Sequence, residues 1–506
     1  MASMMADSLV WMIVIPFLSG TIAFLSGKKA QFLIGIVSAV ILTGVTVLTG
    51  MMVYFHGPAR YQLGGWGSPL GIDLNLDGLS VIMLMLTAIV GLCVSIYASG
   101  YFSTDKKREE QHKTYSDKTG RVFWPLWLFT WGGLNALFLS SDIFNIYVCL
   151  EIMTFGAIAL VAIAGSVASV SAALRYLLLS LFGSFLYLLG VGFLYSLYGT
   201  LDLAALGELL RPGGVSDLAF MLIVFGLLIK SALFPLHFWL PPAHANAPAP
   251  VSAVLSGVVI MAPFYLLVRF WFDVFNAVVN PAAGQILGVL GVVAICYGAF
   301  QAMRQARFKM VIAYSTVAQI GYMFLIFPLG AQGSPGQVFA WNGGIYFAVS
   351  HACAKAAAFL VAGSVMWRLG HDHIKDLAGL ARRFPVGTFA FAIAGLSLVG
   401  LPPSGGFVGK WLLLKAAMLS GQWWYAVVII AGSLLAACYV LRVLEMAMRA
   451  PQPDENPADE LVIPMRMQYS ALALALAAVL MGLIASVPLD VLKAGAPDLS
   501  GLMERL

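Results

Sequence analysis

Apolar stretches long enough to cross a lipid bilayer recur along this chain, and they leave it little choice of fold. They begin near residues 8, 31, 78, 122, 143, 170, 216, 251, 283, 306, 338, 386, 421 and 466. A bilayer core takes roughly 20 residues of helix. Lipid offers no partner for free backbone groups, so each stretch must satisfy its own hydrogen bonds. The expectation is an all-α membrane protein of about fourteen spans. With 61% hydrophobic and 10% charged residues, the chain falls far from a soluble domain, in which about a quarter of residues are charged. Met1 to Asp7 lacks the basic region and cleavage site of a removed signal peptide, so the first run is expected to remain as a span. No amphipathic transit sequence precedes it, which points away from organelle import.

The formal charge of +5 does not form an exposed basic stripe, so nucleic acid is not an expected partner. The basic residues sit at the ends of the spans. Every second connection carries them: Lys28 and Lys29; Lys106 to Arg121; Arg304, Arg307 and Lys309; Arg368 to Arg383; Arg442 to Arg466. Arg60 and Arg211 are the exceptions on the other side. The positive-inside rule puts the basic connections in the cytoplasm and both termini outside. The five cysteines (Cys93, Cys149, Cys296, Cys353, Cys438) stand singly in apolar stretches. They show neither metal-ligand nor disulfide spacing, and read as buried thiols.

Two spans contain helix breakers. The seventh reads GLLIKSALFPLHFWLPPAH, with Pro235 after Lys230; the twelfth reads GLSLVGLPPSGGFVGKWLLLK, with Pro402 and Pro403 before Lys410. Proline frees a carbonyl one turn back, which is tolerable at membrane depth only against protein or a watery cavity. The breaks lie five spans apart, so spans four to eight (121–275) and nine to thirteen (276–450) are expected to be inverted five-helix repeats. They would be flanked by a three-helix segment with an outer hairpin loop (1–120) and a last span with its tail (451–506). Paired breaks of this kind point to a transport site; two unrelated kinks are the plainer alternative.

Glu151, Lys230, Lys355, Lys410 and Lys415 all fall inside apolar segments, and ionisable groups there usually line an ion path or hold a bundle together. DIFNIYVCLEIMTFGAIAL around Glu151, KSALFPLHFWLPPAHANAPAPVSAVLSG from Lys230, AYSTVAQIGYMF at 313–324 and GLPPSGGFVGKWLLLK resemble the antiporter-like subunits of respiratory complex I, group 4 membrane-bound hydrogenases and Mrp cation/proton antiporters. The resemblance covers roughly residues 60 to 450. YQLGGWGSPLGIDLNLDGLS, Lys410 in place of a glutamate, and His351 with Lys355 in SHACAKAAAFLVAG are similar to the Mrp D-type and hydrogenase-type branch.

That resemblance implies a proton-translocating subunit of a multisubunit complex in a bacterial or archaeal plasma membrane, working beside homologous antiporter-like subunits, with Na⁺ as a candidate exchange ion. The Mrp-type assembly is the first expectation and a redox-driven hydrogenase or complex I relative the second; a membrane scaffold with a degenerate channel is a third. The chain has no cluster cysteines and no nucleotide fingerprint, so no cofactor and no metal are expected in it, and whether it belongs to an enzyme stays open. One departure stands out: Met261, shortly before Pro263, occupies the eighth-span position where the family commonly has lysine.

The expected path runs through Glu151, Lys230, His351, Lys355 and Lys410. Burial favours a neutral lysine and a nearby carboxylate restores its charge, so a Glu151–Lys230 pair can switch its proton with separation. One pKa unit is ~1.4 kcal/mol, comparable with ~2.3 kcal/mol for one charge crossing 100 mV. His351 and Lys355 share a helix face at i, i+4. Lys410 would be the outlet, with Tyr314, Ser315 and Gln319 holding water between the charges. His237 and His244 suit either an inlet funnel or packing beside the prolines. A static Glu151–Lys230 pair remains an alternative. Lys415 reads as a snorkelling side chain, Glu445 as a local partner of Arg442 and Arg449, and Arg269 with Asp273 likewise. His371 and His373 in GHDHIKD are weak grounds for a metal.

Overall fold

A computed structural model describes residues 2–68, 70–103, 117–450 and 462–495. Met1, Lys106 and most of the 106–121 connection, and much of the expected final tail lie outside the described residues. Among those described, twelve helices are long and apolar enough to cross a membrane, and the chain is a multi-pass membrane protein. The two expected spans absent from that set, the seventh and twelfth, are the two with breaks. Numbered as fourteen segments, the unbroken ones are 1 (Ser8–Leu25), 2 (Lys28–His56), 3 (Gly78–Tyr101), 4 (Thr119–Leu139), 5 (Ile143–Ala162), 6 (Val167–Tyr198), 8 (Ala249–Val274), 9 (Pro281–Arg304), 10 (Phe308–Leu329), 11 (Gln337–Leu369), 13 (Trp423–Met448) and 14 (Met465–Leu483). Segment 7 divides into Gly214–Lys230 and Leu240–Asn246, and segment 12 into Pro385–Val399 and Gly405–Leu419. Breakage, not polarity, is why neither reaches spanning length.

The expected hairpin before segment 3 is present as antiparallel strands Ala59–Gln62 and Asp73–Leu76. Short polar side chains start the helices that follow the turns. Asp77 caps segment 3 through Ser80, Asp142 caps segment 5 through Asn145, and Ser166 caps segment 6 through Ser169. Each cap satisfies an amide that would otherwise be orphaned in a poorly hydrated place.

Lipid gives helices no hydrophobic reason to associate, so close backbone approach through small residues matters more here than in water. Gly183 of segment 6 and Gly226 of segment 7 meet so closely that a Cβ on Gly226 would collide with the Gly183 carbonyl oxygen. Gly291 and Gly321 repeat the arrangement between segments 9 and 10, where a Cβ on Gly321 would strike the Gly291 oxygen. The first contact sits one turn before Lys230 and brings segment 7 against the hydroxyls of segment 6. Segments 8 and 11 are buried throughout their most apolar windows and form the centre of the bundle.

Segment 8 carries two π-helical turns, Leu255–Val259 and Phe270–Val274. The first lies just before Pro263, whose ring needs room at the carbonyl four residues back. Met261 follows this turn and is fully buried.

Candidate ion path

The charged residues picked out from the sequence fall into two groups. Lys230 ends the first half of segment 7, and its Nζ lies 2.9 Å from Glu151 Oε1 on segment 5. The ammonium also donates to Ser180 Oγ at 2.8 Å and to Thr154 Oγ1 at 3.3 Å. Ser184, one turn from Ser180 on segment 6, donates to Glu151 Oε1. Ser180, Ser184 and Thr154 carry no individual signal in the sequence, because serine and threonine are common at helix contacts in membranes. They complete an arrangement in which both partners are hydrogen-bonded when charged.

The break beyond Lys230 is held by protein, not left to lipid. Ala232 is buried with φ of 53°, a left-handed backbone unusual for a residue other than glycine. The Ile229 carbonyl accepts the Trp239 indole N–H at 3.0 Å, and Trp239 in turn stacks on Tyr176 with centroids 4.1 Å apart. The same carbonyl also accepts the Ala232 amide at 3.2 Å, so a side chain from beyond the break and the turn itself share it.

The second group centres on segment 11. Phe347, His351, Lys355 and Phe359 follow at four-residue intervals and so share one helix face. At one end Lys410 lies over the rings of Tyr322 and Phe347, 4.3 and 5.7 Å from their centroids. Its Nζ donates at 3.0 Å to each of the Leu398 and Val399 carbonyls and to Ser433 Oγ. Those carbonyls close the first half of segment 12, so the lysine occupies a helix C-terminus, where a cation is favoured. Gly400 makes room: it takes φ of 86°, and a Cβ there would stand 2.7 Å from Lys410 Cδ.

Lys355 is fully buried and donates to the Ile312 carbonyl at 3.0 Å and to Ser315 Oγ. One turn along segment 10, Gln319 donates to Leu398 O and to Tyr439 OH, each at 3.2 Å. Ser315 and Gln319 therefore connect the surroundings of Lys355 to the carbonyl that also receives Lys410. His351 lies between the two lysines on segment 11, buried, with neither ring nitrogen bonded to protein. At the other end of the face, the His244 ring stacks on Phe359 at 4.6 Å, and its nitrogens are likewise unpartnered.

Other expected residues take different places. Tyr314 is half-buried, near Tyr297 of segment 9, and its hydroxyl makes no hydrogen bond to a lysine among the described residues. His237 packs against Phe234 and Tyr297, which favours its packing role. Lys415 is exposed, with Nζ 3.9 Å over the Phe339 ring. Glu445 pairs with Arg449 at 2.6 Å, whereas Arg442 donates to the Met303 carbonyl. Arg269 does bond Asp273 at 3.1 Å, but its main partner is Asp77, bound in a fork at 2.5 and 2.8 Å. Lys309, which the sequence places in a cytoplasmic connection, is fully buried. Met261 adds no polar group between the two clusters.

The family comparison matches this architecture. The profile described as NADH:quinone oxidoreductase/Mrp antiporter, transmembrane, covers residues 140–436, and the complex I chain 5 N-terminal profile covers 67–110. The chain belongs to the NADH:quinone oxidoreductase/Mrp antiporter family. It is 36% identical to NADH-quinone oxidoreductase subunit N of Desulforudis audaxviator, over 89% of this chain and 90% of that one. It is 30% identical to the D-type subunit of the Na⁺/H⁺ antiporter of Alkalihalophilus pseudofirmus, over 87% and 86%. In fold it is similar to a chain of the Mrp complex from a Dietzia species, with a TM-score of 0.85 at 24% identity over 97% and 98% of the two chains. A chain of Thermus thermophilus respiratory complex I gives 0.73 at 22% identity, over 95% and 98%. Both are members of multisubunit membrane assemblies. Lys230 with Glu151, and the Lys355–Lys410 group, fall within the matched stretch of this antiporter family.

Proposed function

We propose that this antiporter-family chain moves protons across a bacterial or archaeal plasma membrane as one subunit of a larger complex, beside homologous antiporter-like subunits. The observation that carries this reading is that three of the four buried lysines among the described residues, Lys230, Lys355 and Lys410, have a single carboxylate between them. Lys230 has Glu151; Lys355 and Lys410 are held by carbonyls and hydroxyls. Such groups accept an ammonium but also tolerate a neutral amine, so the proton is not locked in place by a fixed counter-charge. A purely structural design would pair each ammonium, because an unpaired buried charge is costly.

In this reading Glu151 sets the charge of Lys230, and protons are exchanged along His351, Lys355, Ser315, Gln319 and Lys410. Sodium/proton exchange in an Mrp-type assembly is the first form of the function, as the relation to the D-type antiporter chain suggests. The 36% identity to an NADH-quinone oxidoreductase chain favours the second, in which electron transfer elsewhere in the complex drives the same module. The paired breaks are read as one break in each of two inverted repeats, with the basic connections in the cytoplasm and both termini outside.

Purifying the native complex and identifying its subunits separates the two forms. Iron–sulfur subunits would exclude the pure antiporter; their absence, with Na⁺-dependent proton flux in vesicles, would exclude the redox form. A purified complex that moves no protons under either drive would refute both.

A further inference from the structure

Lys309 opens segment 10 at the level where a long basic side chain usually reaches out to water. It turns inward instead. Its side chain is fully buried, and Nζ donates to the carbonyl of Ala247 at 2.5 Å, in the turn that follows the broken segment 7. Asp372, on the connection after segment 11, is close by but does not bind this ammonium. Its carboxylate accepts from the Lys309 backbone amide at 2.9 Å and from Arg307 Nε at 2.8 Å. Arg307 also donates to the Ala245 carbonyl at 3.3 Å, and the Phe308 amide donates to the Asp372 carbonyl at 2.7 Å.

This arrangement fixes the backbone around Lys309 firmly while leaving its ammonium with one neutral acceptor. The short helix that ends at Ala247 carries His244, fully buried, whose two ring nitrogens have no protein partner. Lys309 bonds Ala247, three residues beyond His244, while the His244 ring stacks on Phe359, one helical turn from Lys355 on segment 11. The series therefore runs from Asp372 and Arg307 at the cytoplasmic end, through Lys309 and His244, along the Phe359–Lys355–His351–Phe347 face to Lys410. It bypasses Met261.

We propose that Lys309 is the inlet group of the path, exchanging protons between the cytoplasmic mouth beside Asp372 and the imidazole of His244. The step is a simple transfer: the ammonium of Lys309 gives a proton to a neutral His244 nitrogen and is recharged from water at the mouth. The inference rests on the proton-transport reading above.

The test compares Lys309→Gln and Lys309→Arg in the full complex, measuring proton uptake into inverted membrane vesicles, with assembly checked by native electrophoresis. Lys410→Ala serves as the control. Glutamine keeps a donor for the Ala247 carbonyl but has no proton to exchange; arginine keeps charge and donors but does not release its proton. Both should assemble normally and lose at least about tenfold in uptake, equivalent to ~1.4 kcal/mol in the barrier. Normal uptake in an assembled Gln or Arg variant would overturn the inference, as would failure of both to assemble, which would assign Lys309 to the fold. If Lys410→Ala also retains full uptake, the transport reading itself has failed; if Lys410→Ala is inactive while the Lys309 variants work, only the inlet is wrong.

Discussion

Lys410 Nζ lies 3.0 Å from the carbonyl oxygen of Val399, the last residue before the break in segment 12. The ammonium is thus stabilised by a helix end and by the carbonyls that the break releases, without an acidic partner among its bonds. The break and the lysine form a single device: the interrupted helix supplies acceptors, and the lysine supplies donors that lipid lacks. Lys410→Ala should therefore leave those carbonyls one donor short and remove the proposed outlet, lowering proton uptake at least about tenfold. Lys415→Ala, which loses only an exposed side chain over Phe339, should change uptake less than twofold by the usual worth of such contacts. Vesicle flux measured on both decides. Greater damage from Lys415→Ala would mean the wrong lysine has been assigned.

Glu151→Ala should abolish uptake without preventing assembly. Its carboxylate is the acidic partner of Lys230, and Ser180 and Thr154 remain to hold the amine once it is neutral. Proton uptake alongside native electrophoresis checks both halves. Full activity would make the pair a static clamp.

Arg269 and Asp77 are read as a structural joint between segment 8 and the start of segment 3. Asp77→Asn should cost about 3–5 kcal/mol, the range for breaking a buried pair, seen as a lower melting temperature of the solubilised complex. The sign of its pH dependence follows from the carboxyl. Burial alone would raise it, but the Arg269 guanidinium and the Ser80 groups outweigh burial and hold it below its ordinary 3.8. A depressed carboxylate contributes stability that is fully present above about pH 4 and is lost as pH falls through the folded value. The difference between wild type and Asp77→Asn should thus be constant from about pH 5 to 8. A mutant as stable as the wild type at pH 7 would remove Asp77 from this role.

Sequence reasoning reaches the segments, the breaks and the five titratable residues of the proposed path because each is a local exception: a titratable group in an apolar run, or a proline where a helix should continue. It misses what depends on distant partners. Asp77 and Arg269 are 192 positions apart, and nothing in either neighbourhood names the other. Lys309 escapes for a different reason. At the start of a helix, beside Arg304 and Arg307, it reads as one more basic residue of a connection, and only the fold shows its side chain pointing inward. Tyr314 is over-read: its helix is right, but neighbouring positions on a helix face about 100° apart, and Ser315 takes the side that meets Lys355.

The central claim is that protons pass along the buried face of segment 11. Met261 cannot exchange a proton, so no lysine on segment 8 can share the load of Lys355. The most direct test is proton uptake by inverted vesicles carrying Lys355→Ala in the full complex, with protein level and assembly matched to wild type, and with Met261→Lys and the double mutant alongside. Uptake should fall to background in Lys355→Ala, with partial return in the double mutant if the new ammonium is accommodated beside Pro263. Unchanged uptake in an assembled Lys355→Ala complex would show that protons do not pass that point, and would contradict the path.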